Sequence, residues 1–226
     1  MTQKLETISR SRSHGGWQSV YSHQSEVCAC PMTFAVYEPP QAKDEACPVL
    51  YYLSGLTCSH ANVMEKGEYR RAAAEHGIII VCPDTSPRGD HVADEDVYFF
   101  GSGAGFYVDA TQAPFSANYQ MYSYIVDELP GIIAGFSQAD TARTSIFGHS
   151  MGGHGAIIMS LRNPGKYRSV SAFAPICAPS GIEWGRNAFS KYLGADEAKW
   201  RAYDSVALIE DGHRVEEILV DQGLGD

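Results

Sequence analysis

The residues with the clearest potential for chemistry are Ser150 and the glycines around it, in the pattern G-x-S-x-G over residues 148–152. This pattern is typical of a sharp turn between a strand and a helix, which places the serine hydroxyl above the end of a sheet. Small residues are needed on either side of the serine because the turn is tight. Ser150 is therefore a candidate nucleophile for acyl transfer, in which the hydroxyl attacks a carbonyl carbon.

An acyl-transfer site also needs N–H donors for the oxygen that becomes negative in the transition state. The amide of Met151 follows the candidate nucleophile and opens a predicted helix, whose N-terminus adds positive potential. The loop L-S-G-L-T-C at residues 53–58 follows a predicted strand, and such a loop supplies the second donor in sites of this kind. The sequence thus predicts an oxyanion hole formed by the amides of Leu56 and Met151.

A serine nucleophile of this type is activated by a histidine that an acidic residue orients, in the chain order serine, acid, histidine. Asp221 and Asp226 both lie after a late apolar run, where the acid is expected. None of the eight histidines follows Asp226, so we expect the native protein to be longer and to carry its base beyond this residue. His60 is the one candidate for a substitute base, because it lies near residues 53–58.

Apolar runs alternate with helical patterns, which favours an α/β fold with a mostly parallel sheet flanked by helices. Residues 20–37 read as two strands, and strands buried on both faces are predicted at residues 49–53, 78–82, 144–147, 170–174 and 218–220. Helices are predicted at residues 65–76, 121–129 and 152–162, with Gly77, Pro130 and Pro164 beyond their ends. Reactive groups in such sheets lie at the carboxyl ends of strands, so loops 54–58 and 148–150 should meet.

The composition fits one globular domain over residues 1–226 and argues against several classes of protein. The net charge of −10 and the lack of a Lys/Arg-rich run argue against binding to nucleic acid or to anionic membranes. No apolar run approaches the roughly 20 residues of a membrane helix, and residues 1–13 lack the apolar stretch of a secretory signal. The six cysteines lack zinc-binding spacing. We therefore expect a cytoplasmic protein without a metal site.

Taken together, the motifs resemble the S-formylglutathione hydrolase family, or esterase D family, over essentially the whole chain. The resemblance rests on blocks at residues 53–58, 83–89, 103–110, 121–124, 148–156 and 221–223. It implies an α/β-hydrolase fold, no cofactor, a possible homodimer and a cytosolic location. It also implies a thioesterase that hydrolyses S-formylglutathione to glutathione and formate in formaldehyde detoxification, and that cleaves small activated esters.

The resemblance assigns roles to individual residues. Ser150 matches the family's nucleophile and Asp226 its acid, while Leu56 and Met151 match its oxyanion donors. The family's C-terminal segment, which holds the histidine, is missing from this sequence. A last strand and helix of the fold are therefore expected to be missing as well, leaving the domain incomplete at its C-terminus.

Three further residues are expected around the substrate. Cys58 matches a cysteine beside the active site that thiol reagents can block, and Trp184 matches an aromatic residue near the acyl pocket. We group His149 with them, because it precedes the nucleophile, although its side chain should diverge from that of Ser150.

Two other functions stay open at this point. A hydrolase-like protein without activity would bind ligands or partners through the same pocket, and its serine would resist labelling. An acyltransferase on the same fold would pass the acyl group to an alcohol rather than to water. Fold alone does not separate these functions.

Overall fold

A single sheet of eight strands lies at the centre of the computed structural model, which describes residues 4–136 and 138–225. Its strands are β1 (Glu6–Ser13), β2 (Gly16–Gln24), β3 (Pro31–Glu38), β4 (Cys47–Leu53), β5 (Ile79–Pro83), β6 (Ala139–His149), β7 (Val170–Phe173) and β8 (Leu219–Asp221). The order across the sheet is β1-β2-β3-β5-β4-β6-β7-β8. The first four strands in this order pair antiparallel, and β5, β4, β6, β7 and β8 pair parallel.

Helices connect the strands. They are α1 (His60–Lys66), α2 (Arg70–His76), α3 (Met121–Ser123), α4 (Leu129–Ile133), α5 (Met151–Arg162), α6 (Glu183–Leu193), α7 (Glu197–Trp200) and α8 (Ser205–Glu210). A π-helical turn at Tyr124–Glu128 joins α3 to α4. Within the described residues, no helix is both long enough and apolar enough to cross a bilayer.

The two faces of the sheet carry separate hydrophobic cores. Along β3, Phe34 and Val36 belong to the larger core, which α5 and α6 help to form. Ala35 and Tyr37 point to the opposite face and belong to a smaller core, over which α2 packs through Ala73. This alternation follows from the two-residue period of a strand. The predicted α/β architecture, with helices flanking a mostly parallel sheet, is confirmed.

The predicted strands overlap β2 to β8, but burial of the last one is predicted wrongly. Leu219 is 56% exposed and Val220 is 50% exposed. The reason is that β8 is the edge strand of the described sheet, where it pairs with β7 alone. An apolar run therefore identified the strand but not its place in the sheet.

Two helix predictions also differ from the structure. The predicted helix over residues 65–76 is two helices, because α1 ends at Lys66, before Gly67, and α2 begins only at Arg70. The predicted helix at residues 121–129 continues past Pro130 into α4. Proline cannot donate to the carbonyl four residues earlier, and the Lys166 ammonium donates to that carbonyl, on Val126, instead.

Candidate active site

Ser150 lies at the turn between β6 and α5, in a backbone conformation that is rare for a residue with a side chain. Its φ is 57° and its ψ is −118°, and such positions cost about 1–3 kcal/mol unless the surroundings hold them. Here the Ser150 amide donates to the carbonyl of Phe173 at 2.8 Å, and its carbonyl accepts from Ile176 at 3.3 Å. The end of β7 therefore fixes the turn, and the serine is half-buried at the N-terminus of α5.

The glycines of the motif are explained by close backbone contacts. A Cβ atom at Gly148 would lie 2.2 Å from the carbonyl oxygen of Gly152. A Cβ atom at Gly152 would lie 1.9 Å from the carbonyl oxygen of Leu53 at the end of β4. Because both neighbours are backbone atoms, neither can move aside as a flexible side chain would.

The loop at residues 54–58 lies against Ser150. A Cβ atom at Gly55 would be 3.2 Å from Cβ of Ser150. The amides of Leu56 and Met151 donate to no protein acceptor within the described residues. Two free N–H donors thus flank the serine, which is the arrangement that an oxyanion requires.

The other predicted pocket residues lie at different distances from Ser150. The exposed His149 brings Nδ1 within 3.4 Å of the position that a Cβ atom at Gly55 would occupy. Cys58 is half-buried on the same loop. Trp184 is half-buried on α6, with its ring centroid 6.0 Å from that of Phe106.

The sequence provides two candidate acids, and His60 is its candidate base. Asp226 lies outside the described residues, and Asp221 accepts through its backbone carbonyl from Ala174 at 2.7 Å. Within residues 4–136 and 138–225, the Ser150 hydroxyl makes no hydrogen bond with a histidine. His60 opens α1, and burial lowers its pKa while the Asp84 carboxylate opposes the shift.

Cys58 is expected to react slowly with alkylating agents. Burial raises the pKa of its thiol above the ordinary 9.0, although the Gly55 backbone and the Lys66 charge oppose the shift. The thiolate is the reactive form. Near neutral pH, iodoacetamide should therefore alkylate Cys58 more slowly than it alkylates free cysteine. The alkylation rate should keep increasing with pH beyond pH 9. Peptide mapping of the alkylated protein measures this rate, with Cys58→Ser as the control. A rate at neutral pH above that of free cysteine would contradict the assignment.

His154 lies on α5, is fully buried, and has the backbone of Phe106 and Ile176 beside its ring. Burial lowers the pKa of this imidazole from 6.5 to about 4, while the Asp204 carboxylate and these two backbone groups oppose the shift. Between about pH 4 and pH 6.5, the His154 imidazole is therefore protonated in the unfolded chain and neutral in the folded protein.

This difference predicts a loss of stability in mild acid. The free energy of unfolding should fall as the pH drops from the ordinary 6.5 toward 4, by about 2 kcal/mol between pH 7 and pH 5. His154→Leu should remove this part of the pH dependence, whereas His91→Leu, at an exposed position, should keep it. Urea unfolding at the two pH values measures the effect. Identical pH dependence in all three proteins would show that His154 is not responsible.

Sequence reasoning did not predict the unusual backbone conformation of Phe106 and Tyr107. Both have positive φ, 49° and 53°, and both are fully buried. They lie in the block 103–110 that supported the family resemblance, but nothing in their residue types signals this conformation. Separately, no cluster of three or more potential metal ligands occurs in the described part of the chain.

Comparisons with known proteins identify the family of this chain. The family model described as "Putative esterase" matches residues 25–226. S-formylglutathione hydrolase of Mus musculus is 55% identical over 225 residues, covering 98% of this chain and 79% of the mouse protein. The enzyme of the same name from Rattus norvegicus is 51% identical over 226 residues, covering 99% of this chain and 80% of the rat protein.

A solved structure extends the similarity to the fold. An S-formylglutathione hydrolase from Agrobacterium tumefaciens superposes with a TM-score of 0.95 at 59% sequence identity. The match covers 97% of this chain and 79% of the bacterial enzyme. By sequence, by family model and by fold, this chain belongs to the S-formylglutathione hydrolase family of α/β-hydrolase esterases.

Proposed function

We propose that this protein is a serine thioesterase that hydrolyses S-formylglutathione to glutathione and formate, a step in formaldehyde detoxification. The observation that supports it best is the position of Ser150, held at a strained turn between two free amides. The nucleophile and the two donors are parts that acyl transfer requires, together with a base that takes the hydroxyl proton.

The reaction would proceed in two steps through an ester on Ser150. The hydroxyl oxygen attacks the formyl carbon while a histidine base takes its proton, and the carbonyl oxygen becomes an oxyanion. The amides of Leu56 and Met151 donate to that oxyanion. The carbon–sulfur bond then breaks, glutathione leaves with the proton, and water attacks the formyl ester to release formate and restore the hydroxyl.

Asp226 is proposed as the acid that orients the base. In triads of this kind the acid hydrogen-bonds the histidine and stabilises its charged form. Each oxyanion donor in sites of this kind is worth about 10²- to 10³-fold in kcat, and these donors would therefore provide a large share of the rate enhancement.

A series of acyl groups tests the proposed substrate. S-formyl-, S-acetyl- and S-propionylglutathione share the same thiol, and we expect kcat/KM to fall along the series because the formyl carbonyl is the most electrophilic and needs the smallest pocket. The step from acetyl to propionyl changes mainly the size of the acyl group. Adding an alcohol as a second acceptor separates hydrolysis from acyl transfer. No turnover of the formyl thioester, or formyl ester as the main product, would overturn the proposal.

The family resemblance also supports two further proposals, that the protein is a homodimer and that it is located in the cytoplasm. Sedimentation of the purified protein and fractionation of the source cells test them. A monomer at assay concentration, or recovery outside the cytoplasm, would contradict the respective proposal.

A further inference from the structure

The oxyanion loop, defined here as residues 54–58, must hold one peptide group in a fixed orientation. The Gly55 carbonyl accepts from the amide of Cys58 at 3.3 Å. In a trans peptide the C=O and the following N–H point in opposite directions. The N–H of Leu56 is thus turned away from Cys58, and it stays free for substrate only while this peptide keeps its orientation.

Each end of the oxyanion loop is held by a side chain from elsewhere in the fold. At the far end, the Cys58 carbonyl accepts from the Arg88 guanidinium at 3.1 Å and from the Thr85 hydroxyl. At the near end, the Ser54 carbonyl accepts from the phenol of Tyr107 at 2.9 Å. The Ser54 carbonyl belongs to the peptide group next to the one that carries the Leu56 N–H, whereas the Cys58 carbonyl lies three peptide groups away from it.

Tyr107 also touches the helix that carries the nucleophile. A Cβ atom at Gly155 on α5 would lie 2.6 Å from the tyrosine ring, so the ring is packed against the backbone of that helix. One side chain therefore contacts both halves of the candidate oxyanion hole, the α5 helix through its ring and the loop through its hydroxyl. We propose that Tyr107 is a positioning residue that sets the orientation of the Leu56 amide relative to Ser150.

The backbone around Tyr107 supports this role. Phe106 and Tyr107 have consecutive positive φ values of 49° and 53°, a conformation that costs free energy in non-glycine residues and persists only where neighbours impose it. Nearby, the amide of Thr57 donates to the Gly103 carbonyl at 2.9 Å, which ties the oxyanion loop to the same segment. Burial raises the pKa of the Tyr107 phenol well above its ordinary value, so the group remains a donor across the working pH range.

The test removes one oxygen atom and keeps the ring. Tyr107→Phe should lower kcat and kcat/KM together by about 10- to 100-fold with little change in KM, because an oxyanion donor acts in the transition state. The matched control is Tyr124→Phe, a fully buried tyrosine whose hydroxyl bonds to His23 at 3.1 Å. The control should stay within about twofold of the wild type, as expected for a residue that does not act on the transition state.

A second readout does not depend on turnover, since the kinetic prediction rests on the proposed function. Hydrogen–deuterium exchange of a peptide covering residues 54–58 should become about tenfold faster in Tyr107→Phe, because loss of the anchor allows local opening. It should not change in Tyr124→Phe. Unchanged exchange in the Tyr107 variant would overturn the inference, whatever the kinetics. A wild type without activity toward S-formylglutathione would refute the proposed function and leave the exchange comparison to decide the role of Tyr107.

Discussion

Substituting alanine for Ser150 is expected to lower kcat/KM for S-formylglutathione by about 10⁴- to 10⁶-fold. The substitution removes the hydroxyl oxygen that we propose forms the ester intermediate. What remains is the help of the two free amides, which accelerate attack by water far less than a positioned nucleophile does. Release of glutathione thiol, followed with a chromogenic disulfide, measures the loss.

Ser160→Ala is the matched control for this prediction. Ser160 lies on the same helix, is 2% exposed, and donates to the Ile157 carbonyl at 2.8 Å. Loss of this local bond should cost about 1 kcal/mol of stability and leave kcat unchanged within about twofold. Equal activity losses in the two variants would show that Ser150 matters only for folding.

Replacing Gly152 by alanine is expected to destabilise the protein by more than about 3 kcal/mol and to disrupt the active site. The added methyl carbon would lie 1.9 Å from the carbonyl oxygen of Leu53 and would overlap it. Relief requires α5 to move away from β4, which separates Ser150 from the oxyanion loop. The free energy of unfolding, measured in urea, and the activity should therefore fall together.

Gly131→Ala provides the contrast, because no heavy atom lies within 4 Å of the position that its new Cβ atom would take. This residue is in α4, where alanine is favoured over glycine by up to about 1 kcal/mol. The free energy of unfolding of the Gly131→Ala variant should rise or stay the same, and its activity should not change. Similar stability of the Gly152 and Gly131 variants would contradict the role assigned to close packing at the turn.

Local pattern was sufficient for the features that depend on neighbouring residues. The strand before Ser150 and the helix after it follow from apolar runs and a glycine-rich turn, and the helix at residues 152–162 corresponds closely to α5 (Met151–Arg162). The family resemblance was equally direct, because long blocks such as residues 103–110 are specific.

Features that depend on distant contacts could not be predicted in this way. Nothing in the sequence around Pro130 shows that Lys166 donates a hydrogen bond to the Val126 carbonyl. Likewise, the exposure of Val220 depends on which strands lie beside β8, and an apolar run does not specify that. The anchoring of Ser54 by Tyr107 joins residues 53 positions apart. Such contacts arise only once the sheet and its loops are assembled.

The decisive experiment is turnover of S-formylglutathione by the wild type and by Ser150→Ala, with glutathione and formate quantified together. We expect saturable release of the two products in equal amounts by the wild type, and almost none by the variant. Equal turnover by both proteins, or none by a folded wild type, would contradict the assignment of Ser150 as the nucleophile of an S-formylglutathione hydrolase.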